Sequence, residues 1–110
     1  MAVITLTAEN FDSEVLQSDK TVLIDFWAPW CTPCRAAAPI VDSISRERED
    51  IKVGKVNIDD YPNIAETYDI MSIPTLVVVT DGITVSKTVG VKSKDAILGM
   101  LPPSELNNAQ

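Results

Sequence analysis

Two cysteines, Cys31 and Cys34, are the residues of this sequence best suited to chemistry. They are the only cysteines among 110 residues and stand three positions apart in the segment DFWAPWCTPCRAAAPI, residues 25–40. A pair with this spacing can help to hold a metal ion, form a structural disulfide, or exchange disulfides with another molecule. Composition and the predicted elements around the pair discriminate among these uses.

Metal binding and structural cross-linking are both poorly supported. A structural zinc ion usually takes four thiolate or imidazole ligands, and this chain has two cysteines and no histidine. Carboxylates or a second chain would have to complete such a site, so we expect no metal and no bound cofactor. A disulfide between neighbouring positions closes a very short loop and removes little entropy from the unfolded chain. The composition therefore favours a redox-active Cys31–Cys34 disulfide.

The elements on either side of the pair support this interpretation. TVLIDFWA, residues 21–28, is an almost continuous apolar run, which is typical of a central strand buried on both faces. The next segment is predicted to form a helix that begins at the cysteines and is interrupted and kinked at Pro39. Cys31 then lies at the helix N-terminus, where free amide groups and the dipole stabilise a thiolate. Pro33 suits the first turn, and Cys34 is expected to lie deeper than Cys31.

Asp25 is the candidate proton acceptor, because it interrupts the apolar run VLIDFW. A buried carboxylate is costly, so burial would raise its pKa toward the range useful for acid and base chemistry near neutral pH. The local pattern is equally compatible with an Asp25 that faces solvent or forms a salt bridge. The absence of histidine leaves proton transfer to carboxylates, lysines or water.

The rest of the chain alternates predicted strands and helices, which indicates an α/β fold with a mixed sheet. The predicted strands are residues 3–7, 51–59 and two that are joined at Asp81-Gly82, a strong hairpin signal. Three further helices are predicted. The first is capped by Thr7 and carries Phe11, Val15 and Leu16 on one apolar face. The second is capped by Asp60, has Pro62 in its first turn and includes Ile64 and Tyr68, and the third is capped by Ser93 and ends at Pro102 and Pro103. The tail SELNNAQ is expected to pack loosely.

Composition limits the partners and the location. The length fits a single domain, residues 1–110. The formal net charge of −7 argues against nucleic acid, because lysine and arginine provide affinity for phosphates. No basic and apolar leader and no window of about 18 apolar residues is present, so we expect a cytoplasmic monomer that does not bind membranes.

Several segments together resemble the thioredoxin family. DFWAPWCTPCRAAAPI is similar to its active-site segment, KVNID to its central strand, IPT to its cis-proline loop, and DG followed by VG to its last hairpin and substrate loop. The resemblance covers about residues 3–101. It implies the thioredoxin fold, a central mixed five-stranded sheet flanked by four helices. It also implies a protein-disulfide reductase that receives electrons from a thioredoxin reductase.

The resemblance also assigns roles to individual residues. It implies that Cys31 is the nucleophile, Cys34 the resolving thiol and Asp25 the buried proton acceptor, with Lys55 as the neighbour of Asp25. It further implies a cis bond before Pro74 and a shallow apolar groove around Cys31; the residues given to this groove are Trp30, Ile73, Gly90 and Val91. The local sequence is also compatible with a trans bond before Pro74. For Trp27, the expected role is to support the fold beside the site.

Thr32 and the segment RAAA, residues 35–38, depart from the family pattern. Glycine is usual where this chain has Thr32, and larger apolar residues are usual where it has Ala36 and Ala37. The alanines predict a flatter surface beside Cys31, which bears on the choice of reductase and targets. An oxidase or isomerase variant, and a thioredoxin-fold binding module without redox turnover, remain alternatives.

We predict that Thr32, next to Pro33 in the active-site turn, makes the reduction potential less negative. A hydroxyl that hydrogen-bonds the thiolate favours the dithiol form, and about 30 mV corresponds to about 1.4 kcal/mol for this couple, so the shift should be tens of millivolts. Equilibration of the Thr32→Gly variant with glutathione should therefore give a more negative potential. An equal or less negative value for the variant would contradict the prediction.

Overall fold

A computed structural model describes residues 2–104 of the chain. Its five strands form one mixed sheet in the order β1-β3-β2-β4-β5. The strands are β1 Ile4–Thr5, β2 Val22–Trp27, β3 Lys52–Asn57, β4 Thr75–Thr80 and β5 Ile83–Val89. The helices are a π-helical segment, Asp12–Leu16, and α1 Thr32–Glu47, α2 Pro62–Thr67 and α3 Lys94–Leu98. The expected α/β fold with a mixed five-stranded sheet and four helices is confirmed. Residues 105–110 of the tail that was expected to pack loosely lie outside the described residues.

Strand β2 is the centre of the sheet, parallel to β3 and antiparallel to β4. Its side chains alternate between two hydrophobic clusters. Leu23 packs in the cluster that contains Ile44 of α1, whereas Ile24 and Phe26 pack in the cluster on the other face. All three are fully buried, which confirms a strand covered on both faces and explains its almost uninterrupted apolar sequence.

Helix α1 runs without interruption from Thr32 to Glu47 and contains Pro39. The predicted interruption at Pro39 is therefore wrong. Proline removes one main-chain donor from a helix interior, but Ala37, Val41 and Ile44 are buried on both sides of it along the helix. Their packing against the sheet holds the two halves of α1 in one helix.

The first helical segment differs from the prediction in the position of Leu16. Phe11 and Val15 are buried as expected, but Leu16 is 42% exposed. Leu16 is the last residue of a π-helical segment, Asp12–Leu16, and directly follows the buried Val15. Consecutive side chains of a helix point in different directions, so the core takes Val15 and leaves Leu16 partly exposed.

One of the three predicted caps is confirmed: the Ser93 hydroxyl accepts the main-chain N–H three residues further along. The Thr7 hydroxyl accepts the main-chain N–H of Asn10 at 3.2 Å, but in the turn before the helical segment, whose cap position is Phe11 and has no side-chain hydrogen bond. Asp60 does not cap α2. The helix begins at Pro62, so Tyr61 occupies the cap position and provides no side-chain hydrogen bond.

The hairpin between β4 and β5 has the predicted two-residue loop. Asp81 and Gly82 both have positive φ, 53° and 75°, as tight hairpin loops that follow the twist of the strands require. The hairpin carries the chain back along β5 to Gly90, beside the start of β4.

Candidate functional site

The cysteine pair lies where β2 leads into α1. Cys31 is the N-cap of α1, and its Sγ accepts the main-chain N–H of Cys34 at 3.2 Å. The two residues are joined in a disulfide, and the first turn of α1 contains no acidic side chain. The predicted position of Cys31 at the helix N-terminus is confirmed, and this position favours a thiolate on reduction.

The two cysteines are buried to the same extent in the oxidised protein. Each is 4% exposed, so the expectation that Cys31 is presented and Cys34 shielded is not reproduced by residue exposure. The reason is that the loop before Pro74 covers Cys31, with the carbonyl oxygen of Ile73 at 3.9 Å from its Sγ. A target must therefore approach against this loop to reach Cys31.

Parallel pairing of β2 with β3 places Asp25 directly beside Lys55. Asp25 is 5% exposed, and its Oδ1 has no hydrogen-bond partner among the described residues. Among residues 2–104, Lys55 does not form a salt bridge with Asp25. The buried alternative for Asp25 is thus the one that the fold adopts.

Burial raises the pKa of Asp25 from 3.8 to about 6. Loss of hydration is the larger effect because it disfavours the charged carboxylate, and the positive charge of Lys55 partly opposes it by lowering the pKa. The carboxyl can therefore change its protonation state close to neutral pH.

A cavity of about 160 Å³ lies between Asp25 and Cys34. Its wall includes Asp25, Cys34 and Lys55, together with Trp27 and Arg35. The cavity is lined by both the predicted proton acceptor and the predicted resolving cysteine. Burial and a shared wall are the features that a group exchanging a proton with Cys34 requires.

Trp27 belongs to this site, although its sequence position suggested only a supporting role. The Lys55 Nζ lies 5.6 Å from the Trp27 ring centroid, a cation–π distance, and the Trp27 Nε1 is buried without a hydrogen-bond partner in the described chain. The signal was available, because residues two apart on a strand share a face, and Trp27 follows Asp25 by two.

The peptide bond between Ile73 and Pro74 is cis, as the resemblance implied. The main-chain N–H of Gly90 donates to the Pro74 carbonyl oxygen at 2.8 Å, which fixes the two loops side by side. Gly90 has φ +93°, and no atom lies within 4 Å of the position that a Cβ would occupy. Glycine is therefore required by its backbone conformation, and the open space in front of it remains accessible to another chain.

The remaining groove residues are exposed around the cysteines. Trp30 is 65% exposed and Val91 44% exposed. The Trp30 indole N–H donates to a carboxylate oxygen of Asp59 at 3.0 Å, a contact that the sequence reading missed. It fixes an otherwise exposed ring beside Cys31.

Thr32 and Pro33 are exposed in the first turn of α1, between the two buried cysteines. Both residues that are expected to tune the reduction potential are therefore on the exposed side of the turn that contains the disulfide.

The described residues contain neither a metal-type cluster nor a membrane-type helix. Within residues 2–104, histidine, cysteine, aspartate and glutamate side chains do not form a group of three or more that could hold a metal ion. Over the same range, the helices are too short or too polar to cross a bilayer.

Comparison with known proteins gives consistent matches over nearly the whole chain. The family model described as Thioredoxin matches residues 2–102. Thioredoxin of Porphyra purpurea is 47% identical over 109 residues, 98% of this chain and 94% of that protein. Thioredoxin 1 of Synechococcus elongatus is 47% identical over 97 residues, 87% and 91% of the two chains. Thioredoxin of Mycobacterium bovis is 44% identical over 98 residues, 88% and 84% of the two chains.

The raised pKa of Asp25 predicts a specific pH dependence of stability. Between about pH 4 and pH 6 the folded protein holds a proton that the unfolded chain has lost, so the free energy of unfolding falls as pH rises. Two pKa units correspond to a loss of roughly 3 kcal/mol, complete by about pH 7. Asp25→Asn should remove this part of the dependence, which urea unfolding of the oxidised protein at several pH values measures.

Asp81→Asn is the matched control, because it changes an exposed carboxyl at the hairpin and leaves Asp25 in place. It should preserve the fall in stability with pH. The assignment to Asp25 is contradicted if wild type and Asp25→Asn lose stability in parallel over this range.

Proposed function

The chain belongs to the thioredoxin family, and we propose that it reduces disulfides of cytoplasmic target proteins through Cys31 and Cys34. It is a thiol-disulfide oxidoreductase of the protein-disulfide reductase type. The observation that carries the proposal is the disulfide at the N-terminus of α1 with the buried Asp25 carboxyl on the same cavity. We take residues 1–110 as one domain that acts as a monomer and needs no bound cofactor.

In the first step the Cys31 thiolate attacks one sulfur of the target disulfide. A bond forms between Cys31 and the target, and the other target sulfur leaves as a thiolate that takes a proton from solvent. The free amide of Cys34 and the start of α1 stabilise the attacking thiolate.

In the second step Cys34 attacks the sulfur of Cys31. The Cys34 proton passes to the Asp25 carboxylate, directly or through water in the cavity, and the second target sulfur leaves as a thiolate that takes a proton from solvent. Asp25 then releases the Cys34 proton to solvent. The target has gained two electrons and two protons, and the protein is left with the Cys31–Cys34 disulfide. The Lys55 ammonium keeps a usable fraction of Asp25 ionised near neutral pH, because its charge lowers the pKa that burial raises.

The apolar surface around Cys31 suits an extended target segment. Trp30 and Val91 are exposed on it, and Gly90 leaves room for a second backbone. We expect the backbone of Ile73, which precedes Pro74, to pair with that segment as a short added strand; its carbonyl oxygen lies 3.9 Å from the Cys31 Sγ. A thioredoxin reductase would use the same surface to return electrons to the disulfide.

A turnover assay tests the proposal as a whole. The protein is mixed with insulin as the disulfide substrate and with NADPH and candidate thioredoxin reductases, and NADPH oxidation is followed. Turnover that depends on both the protein and a reductase is expected. If dithiothreitol-reduced protein also fails to reduce insulin, the reductase assignment is wrong.

Cys34→Ser is predicted to accumulate mixed disulfides with targets, because the first step proceeds and the second cannot. Non-reducing electrophoresis and mass spectrometry of the reaction with insulin should detect the adduct. Cys31→Ser is the matched control and should form little adduct. Equal trapping by the two variants would contradict the assignment of Cys31 as the nucleophile.

Asp25→Asn is predicted to slow the second step by at least about ten-fold near neutral pH, with a smaller effect on the first, because it removes the proton acceptor. Rapid-quench kinetics of the mixed disulfide measure the two steps separately. Lys55→Met should move the midpoint of the pH profile upward, because the charge that lowers the pKa of Asp25 is lost. Resolution that is equally fast in Asp25→Asn from pH 6 to pH 8 would exclude this role.

A further inference from the structure

A cleft leads away from Cys31 along helix α2. Next to the disulfide it is lined by Trp30, Ile58, Ile70, Met71, Ser72 and Ile73 and has a volume of about 360 Å³. A second depression of about 300 Å³ shares Ile58, Ile70 and Met71 with the first and extends to Glu66 and Asp69. The two form one continuous surface, which we call the α2 cleft.

The near end of the α2 cleft is apolar and adjoins the reacting sulfur. Ile73 lines the cleft, and its carbonyl oxygen lies 3.9 Å from the Cys31 Sγ. Trp30 also lines the cleft, and its hydrogen bond to Asp59 holds the ring in place. A target bound to Cys31 therefore places the residues next to its cysteine within reach of this surface.

Met71 stands at the middle of the α2 cleft and is 93% exposed. An unbranched, flexible thioether adapts to differently shaped apolar partners. The exposed Met71 side chain adds no hydrophobic stabilisation to the fold. Contact with an apolar side chain of a target would remove it from water and stabilise the complex. Its position on both halves of the cleft makes it the natural contact for a target residue beside the disulfide.

The far end of the α2 cleft is negatively charged. Glu66 and Asp69 are its only charged lining residues within residues 2–104, both are exposed, and neither forms an ion pair with another described residue. Lys87 lies near by, but its ammonium donates to the main-chain oxygens of Tyr68 and Asp69. The charge of this end is complementary to lysine or arginine.

We propose that the α2 cleft selects target segments that carry an apolar residue beside the disulfide cysteine and a basic residue further along the chain. The proposal rests on the proposed function, because the occupant is the target bound to Cys31. The apolar residue packs on Met71, and the basic residue lies beside Glu66 and Asp69. The net charge of −7 adds a weaker, general attraction for basic targets.

Synthetic peptides with one cysteine as a mixed disulfide with thionitrobenzoate provide the test. A leucine stands next to the cysteine, and a lysine is moved one position at a time along the peptide; a second series carries glutamate instead. At low salt the best lysine peptide should react about three- to ten-fold faster with the reduced protein than its glutamate counterpart. High salt should reduce the difference.

Glu66→Gln combined with Asp69→Asn should abolish the lysine preference. Asparagine is chosen at position 69 because Asp69 has φ +54°, a conformation that asparagine tolerates. Glu9→Gln with Asp81→Asn is the matched control: it removes the same charge, and Asp81 has φ +53° at the far end of β4. The control should retain the preference, and its loss in both double variants would overturn the proposal in favour of a general charge effect.

Met71→Ser tests the apolar end. It should slow the leucine peptide a few-fold more than a peptide with glycine in place of leucine, whereas Met71→Leu should retain the wild-type rate. Equal effects on the two peptides would remove Met71 from recognition. Sedimentation that depends on protein concentration, and is altered by the variants of the cleft, would assign the surface to a second copy of the chain and overturn the proposal.

A separate measurement distinguishes failure of the α2 cleft proposal from failure of the proposed function. Reduction of bis(2-hydroxyethyl) disulfide by the unsubstituted protein needs Cys31 and Cys34 but no extended segment. If this reaction occurs and the peptide series shows no dependence on charge, the α2 cleft proposal fails alone. If the reaction does not occur, the proposed function fails as well.

Discussion

The burial of the Asp25 carboxyl in the central strand is the constraint on which the rest of the site depends. Asp25 is 5% exposed, and its Oδ1 has no hydrogen-bond partner among residues 2–104, an environment that tolerates a carboxylate poorly. The fold accepts this cost because Asp25 occupies a strand whose other residues hold the two faces of the core together. The same burial that disfavours the ionised state moves the pKa of the carboxyl to about 6, where it can exchange protons near neutral pH.

The register between β2 and β3 adjusts the pKa of the buried Asp25 carboxyl. Pairing of β2 with β3 sets Lys55 opposite Asp25, and Trp27, two residues further along β2, holds the Lys55 ammonium near its ring. The lysine is thus close enough to lower the pKa of Asp25 without neutralising it in a tight salt bridge. A cavity shared with Cys34 connects this group to the cysteine pair, so the acid–base group and the sulfur chemistry are linked through the interior of the protein.

The outer face of the site is assembled from separate parts of the chain. The α1 N-terminus supplies Cys31, the cis-proline loop supplies Ile73, and the turn after β5 supplies Gly90, which is tied to Pro74 by a main-chain hydrogen bond. Because each loop is fixed to the same rigid sheet, a target meets a preformed surface. The α2 cleft continues that surface beyond the disulfide, with exposed Met71 joining its apolar and acidic ends.

The sequence by itself determined the order of the elements, the two-residue turn at Asp81-Gly82 and the helix start at Cys31, because these depend on neighbouring residues. The same local signals were wrong where packing overrides them. Pro39 does not interrupt α1, since buried residues on both sides of it hold the helix against the sheet. Leu16 is 42% exposed, since the core takes its neighbour Val15 and consecutive side chains of a helix point in different directions.

Only the tertiary structure decided the environment of Asp25, for which local sequence allowed burial, solvent or a salt bridge. It also revealed the contacts of Trp27 with Lys55 and of Trp30 with Asp59, and the position of Met71 in the α2 cleft. In each case the partners are distant in the chain or are separated by a turn. Strand register and loop packing bring them together, and neither composition nor periodicity specifies those long-range contacts.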